Sequence, residues 1–300
     1  MTGANSGAGL ATTEQLVRQS AHVVGACRRV DAGREAFAGF GSLPGTAEVM
    51  ELDLGSLASV RRFADAFATK HDRLDGLANN AGLMGVPQGT TEDGFETQFG
   101  VNYLGHFLLT ELLLDTLKAS APSRVVNVSS VAHVGTRRQV AEIHLDDLNW
   151  EDREYRGIMA YSESKLAMLL HASHVARLLE GTGVSIFSNH PGWVRSNLAA
   201  GMMPGWANSI WNVMLRPLSR PLGTLSAFEG AQTTLHCLLD EDAPTHSGGY
   251  FSQNSVLYPN RENRPGGWPM SSPNPHAHDT ALAARLYDRS LQLVGLASGG

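Results

Sequence analysis

Five short aliphatic runs recur along the chain, each followed by a longer segment of helical periodicity, and this alternation restricts the fold more than any other feature. The runs are AHVVGAC (21–27), AEVMELDL (47–54), LDGLAN (74–79), RVVNVSS (124–130) and VSIFSNHPG (184–192). Runs of this kind suit strands buried on both faces. Between them, 10–19, 56–70, 92–118, 160–181 and 224–239 repeat apolar residues at helical spacing. The alternation predicts an α/β fold, a doubly wound parallel sheet with helices on both faces. No repeat, low-complexity tract or linker divides residues 1–300, so a single domain is expected. Near the end, 260–279 is rich in Pro, Gly and Asn and reads as an irregular surface loop, and 280–296 as a closing amphipathic helix.

Composition narrows the function. Three hundred residues, 42% of them hydrophobic, can bury a substantial core. A net charge of −6 with no block of like charge argues against a nucleic-acid partner. Two cysteines, Cys27 and Cys237, make no disulfide framework, so a reducing, cytoplasmic location is expected. No charged, then apolar, leader opens the chain, so no signal peptide is expected. Pro204, Asn208, Asn212 and Arg216 break the apolar stretch 201–223 well short of the ~20 residues of a spanning helix. No transmembrane segment is therefore expected. The cations are skewed to 20 arginines against three lysines, Lys70, Lys118 and Lys165, so the place of each lysine is informative.

The chain opens MTGANSGAGL, with the spacing G-x-x-x-G-x-G leading into a helix pattern. Such a turn lets backbone N–H groups and a helix dipole face a pyrophosphate. Gly3, Asn5, Ser6, Gly7 and Ala8 are its candidate cofactor contacts. Alone it is equally a plain glycine turn, but companions follow. Arg28 and Arg29 follow AHVVGAC, where an Asp or Glu would select NAD and a cation suits the 2′-phosphate of NADP. Two solvated arginines are the alternative. Asp53 and Leu54 follow the next run and Asn80, Ala81 and Gly82 the one after. These are the carboxyl ends of parallel strands, where open α/β sheets bind ligands.

YSESK (161–165) places Tyr161 and Lys165 on one helix face. A nearby ammonium favours the phenolate and draws a phenol of pKa ~10 towards the working range. Ser130, ending VVNVSS, can hydrogen-bond a carbonyl oxygen. Asn102, in the largely apolar FGVNYLGHF, needs buried partners and suits a polar relay.

With TGANSGAG, NNAG, VNYLGHF, NVSS, YSESK and HPGWVRS in this order, the chain resembles the short-chain dehydrogenase/reductase family over nearly all of its length to about residue 240. The stretch 117–133 and the long interval from Ser130 to Tyr161 are most similar to its retinol-dehydrogenase-like branch, which also holds relatives of light-dependent protochlorophyllide reductase. The resemblance implies a catalytic tetrad. Tyr161 is the acid in carbonyl reduction and the base in alcohol oxidation, and Ser130 positions the oxygen. Lys165 binds the nicotinamide ribose and lowers the Tyr161 pKa, and Asn102 holds a relay water. Pro191, Gly192, Val194 and Ser196 fix the nicotinamide end. It also implies NADP(H) as cofactor, a seven-stranded sheet whose last strand lies near 248–253, a substrate lid over 201–223, and a dimer or tetramer. The greasy lid composition, with Met202, Trp206 and Trp211, suits a bulky apolar substrate, a lipophilic small molecule. Trp193 directly after Pro-Gly, where protochlorophyllide reductases carry cysteine, counts against that activity. A cofactor-binding sensor without turnover is the other alternative.

Two expectations complete the reading. His171/His174 and His276/His278 lack accompanying acids or thiols, so no metal is expected. One residue precedes the glycine turn, so the first strand reads as truncated, leaving a central slot whose unpaired backbone groups would cost about 1–3 kcal/mol each if dry.

Overall fold

The structure, a computed structural model, describes residues 1–194, 225–252 and 270–296. β1 (His22–Cys27) and β2 (Thr46–Glu51) form one parallel pair. β3 (Gly76–Asn79), β4 (Ser123–Val128), β5 (Val184–His190) and β6 (Tyr250–Ser252) form a four-stranded parallel sheet in that order. β6 falls where the last strand was expected. The remaining strand count differs: six strands in two sheets are seen among the described residues, not seven in one.

Met1–Gly3 spans the space between the two sheets. Thr2 N–H donates to Ala78 O at 3.0 Å on β3, while Ala26 N–H donates to Met1 O at 2.9 Å and Gly3 N–H to Ala26 O at 3.0 Å on β1. The expected slot is thus occupied at its carboxyl end, where the glycine turn begins. Those backbone groups are paired, because a single extended residue, Thr2, bridges both neighbours.

Helices α1 (Gly7–Arg18) and α7 (Ala227–Leu239) pack together over one face, where Val126 and Phe187 meet Cys237. α3 (Leu57–Lys70), α5 (Gly105–Ala119) and α6 (Gly157–Leu178) cover the other, where Val125 and Ile186 join Phe107, Leu108 and Leu166. Adjacent strand residues thus go to opposite cores, as a doubly wound sheet requires. α2 (Val30–Ala38) was not anticipated. It is short, has no side-chain cap, and keeps Gly33 where a Cβ would press 2.9 Å from Val49. α4 (Thr97–Phe99) leads through a π-helical turn at Gly100–Leu104 into α5.

α6 is buried on all sides from Met159 to Ala172, polar residues included. α8 (Thr280–Leu293) lies across it, with Tyr287 on Phe107 and the Ser290 hydroxyl 2.9 Å from Tyr103 Oη. Only two side chains in the described part, 270–279, of the expected surface loop are buried. Ser272 and Asn274 are buried, and the Asn274 amide donates to His133 O at 2.7 Å and Ala141 O at 2.9 Å. Short polar side chains that satisfy interior carbonyls allow a Pro/Asn-rich segment to pack inward.

Candidate active site

All strands run the same way, so their carboxyl ends meet along one edge. At that edge the glycine turn adopts the conformations its glycines permit: Gly3 has φ +64° and Gly7 φ +56°. A Cβ at Gly9 would collide with the Gly3 carbonyl oxygen, so the helix and turn can close only with glycine there. Ser6 is the N-cap of α1, yet its hydroxyl makes no capping bond, leaving it and the helix end available to an anion.

Thr2 ties this turn to the next strand. Its Oγ1 accepts from Asn80 N–H at 2.8 Å and Ala81 N–H at 2.9 Å, while the Asn80 amide donates to Thr2 O at 2.9 Å. With both acceptor positions filled, the Thr2 hydroxyl donates to His106 Nε2 at 2.9 Å. The His106 proton then sits on Nδ1 and is donated to Asn102 O at 2.9 Å. One imidazole therefore links the glycine turn to the helical turn carrying Asn102. The sequence reading passed over His106, although it stands in the quoted VNYLGHF.

Three successive residues at the end of β4 grip α6. Val128 O accepts from Lys165 Nζ at 2.8 Å, and the Ser129 hydroxyl donates to Lys165 O at 2.8 Å. The Ser130 hydroxyl accepts from Ala132 N–H at 3.1 Å and lies close enough to the Tyr161 hydroxyl to ease its ionisation. Across from them, a Cβ on Gly82 would lie 3.1 Å from Asn102 Oδ1 and 3.5 Å from Lys165 Nζ. Asn102, Ser130, Tyr161 and Lys165 thus converge, with Gly82 holding backbone against them.

Two electrostatic expectations need correction. Burial pushes the Tyr161 phenol up to about 12, with the neighbouring Ser130 hydroxyl pulling the other way, and brings Lys165 down to about 7. The ammonium, 5.8 Å from the Tyr161 ring centre, does not offset that desolvation. Nor does the Asn102 side chain have a spare donor. Its amide gives to Leu83 O at 3.0 Å and Ser164 Oγ at 2.9 Å, and its oxygen accepts from Leu83 N–H at 2.8 Å. A relay water would have to donate to one of the Asn102 oxygens, Oδ1 beside its bond from Leu83 N–H or the main-chain O beside its bond from His106 Nδ1.

The remaining candidates line the same edge. Arg28 and Arg29 are exposed and have no ion-pair partner among the described residues. Asp53 Oδ1 accepts from Gly55 N–H at 2.9 Å, a turn contact that leaves its other oxygen available, and Leu54 is buried. Asn5 and Ala8 lie in the turn itself. Pro191 follows β5, Gly192 has φ +83°, and Val194 pairs with Leu225. Ser196 and the lid 201–223 lie outside the described residues. Of the weighed histidines, His171 accepts from Asn127 Nδ2 at 3.0 Å inside the helix layer, and His174 lies against Tyr287.

Residues 1–141 match the short chain dehydrogenase family. Over 300 residues the chain is 41% identical to retinol dehydrogenase 13 of Homo sapiens, covering 99% of this chain and 84% of that protein. The chain belongs to the short-chain dehydrogenase/reductase family. Within this family it sits in the retinol-dehydrogenase-like branch. Retinol dehydrogenase 12 of Mus musculus is 41% identical over 298 residues, covering 99% of this chain and 85% of that one. A crystal structure of an uncharacterised protein from Mycobacterium paratuberculosis superposes with TM-score 0.75 at 37% identity, over 98% of this chain and 92% of that one. The Pseudomonas aeruginosa RhlG/NADP complex shares the fold, with TM-score 0.66 at 23% identity over 86% and 94% of the two chains.

A nicotinamide dinucleotide, the cofactor of short-chain dehydrogenases/reductases, fits these residues. Its pyrophosphate would meet the uncapped α1 terminus, where Gly9 keeps side chains out of the turn, and its ribose would meet Tyr161 and Lys165. This short-chain dehydrogenase/reductase also buries three neutral imidazoles near the site. Burial lowers His106 to about 3, His133 to about 4 and His190 to about 3. Against an unfolded value of about 6.5, each stabilises fully above that pH, and the stabilisation is lost as pH falls towards the folded values. At pH 5 the loss is of the order of 1–2 kcal/mol per imidazole. Glu163, which burial pushes up to about 7 against the pull of Arg153, acts in the opposite sense. The melting temperature of His106→Gln should therefore fall less than wild type between pH 7.5 and 5. Equal falls would show that His106 is not the buried neutral group described.

Proposed function

We propose that this protein is an NADP(H)-dependent oxidoreductase that interconverts a carbonyl and an alcohol on a lipophilic substrate, with Tyr161 as acid and base. The observation that carries the reading is the convergence of Tyr161 and Ser130 at the end of β4, with Lys165 one helical turn along and Gly82 against it. When bound, the reduced nicotinamide supplies hydride to the carbonyl carbon. Ser130 holds the carbonyl oxygen, and Tyr161 gives that oxygen its proton. A phenol raised by burial stays protonated at neutral pH, which suits the reducing direction. Lys165 fixes the ribose, and the Asn102 carbonyl holds the water that returns the proton.

NADP rather than NAD is favoured by Arg28 and Arg29, two exposed cations at the end of β1. A bulky apolar substrate is favoured by Trp193 and Phe228, which are 47% and 53% exposed on either side of the lid segment. Among the described residues no helix is long and apolar enough to cross a membrane. A dimer or tetramer belongs to the same reading. Because α8 already covers the face of α5 and α6, two chains would pair through α8 or another surface. The sensor alternative has no use for a phenol, hydroxyl and ammonium brought together, and Trp193 still weighs against the protochlorophyllide reaction.

The test is NADPH consumption with retinal, a steroid ketone and aromatic aldehydes. Turnover is expected with at least one. The double variant Arg28→Ala/Arg29→Ala should weaken NADPH by about tenfold or more with NADH little changed. If NADPH binds and every carbonyl fails, the sensor reading replaces this one.

A further inference from the structure

The register of β1 against β2 pairs His22 with Thr46 and Val24 with Glu48, so His22 and Glu48 share a face. α3 ends against that face, with His71 as its C-cap. His22 Nε2 lies 3.4 Å and His71 Nε2 2.8 Å from Glu48 Oε1, and the three donor atoms all fall within 4.8 Å of one another. Glu48 Oε1 and His71 Nε2 are shut off from solvent, and neither makes an aligned hydrogen bond to any group. His22 Nδ1 is 2.6 Å from Thr46 Oγ1. With Nδ1 as donor in that bond, Nε2 presents a bare lone pair to the cluster.

We infer that His22, Glu48 and His71 form a site for a divalent transition-metal ion of the Zn²⁺ class, separate from the nucleotide edge. Two imidazole nitrogens and one carboxylate oxygen are a zinc donor set, with a fourth position open to water. Tetrahedral bonds of about 2.0–2.1 Å space the donors about 3.3 Å apart, so the 3.4 Å pair is already set and the 2.8 Å pair must open slightly. The Thr46 hydroxyl is the outer-shell group that fixes the His22 tautomer. The sequence reading missed the site because its ligands come from three separate elements and share no short motif. The ion would staple β1, β2 and α3, the half of the fold joined to the larger sheet through Met1–Gly3.

Lys70 sets the affinity. Its ammonium is ion-paired with Glu48 Oε2, leaving Oε1 for the metal but placing a like charge beside it. This one of three lysines therefore makes the site weaker than its donors alone would. It also distinguishes a metal site from a plain cluster of ion pairs, in which losing Lys70 could only loosen Glu48.

The experiment titrates chelator-stripped full-length protein with ZnCl₂, read by calorimetry and by melting temperature. Wild type should take up about one equivalent and melt higher with zinc. His71→Ala and Glu48→Gln should lose this uptake. Thr46→Val should weaken it by about 10–100-fold, and Lys70→Met should tighten it. The exposed His22→Gln checks the ligand assignment with least disturbance to folding. No saturable uptake by wild type, or equal uptake by wild type, His71→Ala and His22→Gln, overturns the proposal. Weaker zinc binding in Lys70→Met overturns it too. None of these readouts depends on catalysis.

Discussion

Replacing Tyr161 by Phe should lower kcat for carbonyl reduction by about 10²–10⁴-fold and leave the NADPH dissociation constant within about twofold of wild type. The size follows from what is removed. The hydroxyl is placed to protonate an oxygen held by Ser130, whose own hydroxyl lies beside it. The ring remains, and with it the packing of a side chain 2% exposed inside α6. Losing one hydroxyl changes stability by only about 1 kcal/mol, so a fall in kcat cannot be put down to unfolding. The split between kcat and cofactor affinity carries the assignment. A variant that kept activity within about tenfold would remove Tyr161 from the proton transfer. One that lost NADPH binding would make it a cofactor anchor instead.

The sequence revealed this site better than it revealed the forces within it. Strand–helix alternation located α3, α5, α6, α7 and the carboxyl edge of the sheet, because buried parallel strands and packed helices leave strong, opposite periodicities. α2 escaped because nine residues with a central Gly33 carry too little periodic signal. Tyr161, Lys165 and Ser130 were readable from spacing and strand position. Thr2 and His106 were not, since their roles depend on which polar atoms are already satisfied, and only coordinates settle that. The sign of the Tyr161 shift was misjudged for a related reason. A one-dimensional pattern shows that an ammonium lies one turn away, but not that both groups sit in a helix buried on every side. Desolvation scales with that burial and here exceeds the pairwise attraction. The tail illustrates the same limit: within a largely exposed loop, Ser272 and Asn274 turn inward, where they hydrogen-bond the segment beside Ser130.

Lys165→Met should melt higher than wild type while losing most carbonyl turnover. Lys165 is 3% exposed, its ammonium gives one bond to Val128 O, and burial brings its pKa down to about 7. A folded value below the unfolded ~10.4 means that the unfolded chain binds the extra proton between these two limits. The cost of burying the charge is therefore greatest at and below pH 7 and fades as pH rises towards 10.4. A methionine of similar length removes that cost and fills the same space, and exchanges of this kind stabilise by up to about 1–4 kcal/mol. The gain should be largest at pH 6–7 and vanish near pH 10, followed by thermal melts of the cofactor-free protein across that range. Stability and turnover moving in opposite directions is the signature of a charge retained for chemistry. If Lys165→Met is instead less stable at every pH, the lysine is a structural strut between β4 and α6. If it is more stable but keeps its turnover, the ribose and the proton transfer are served by some other group.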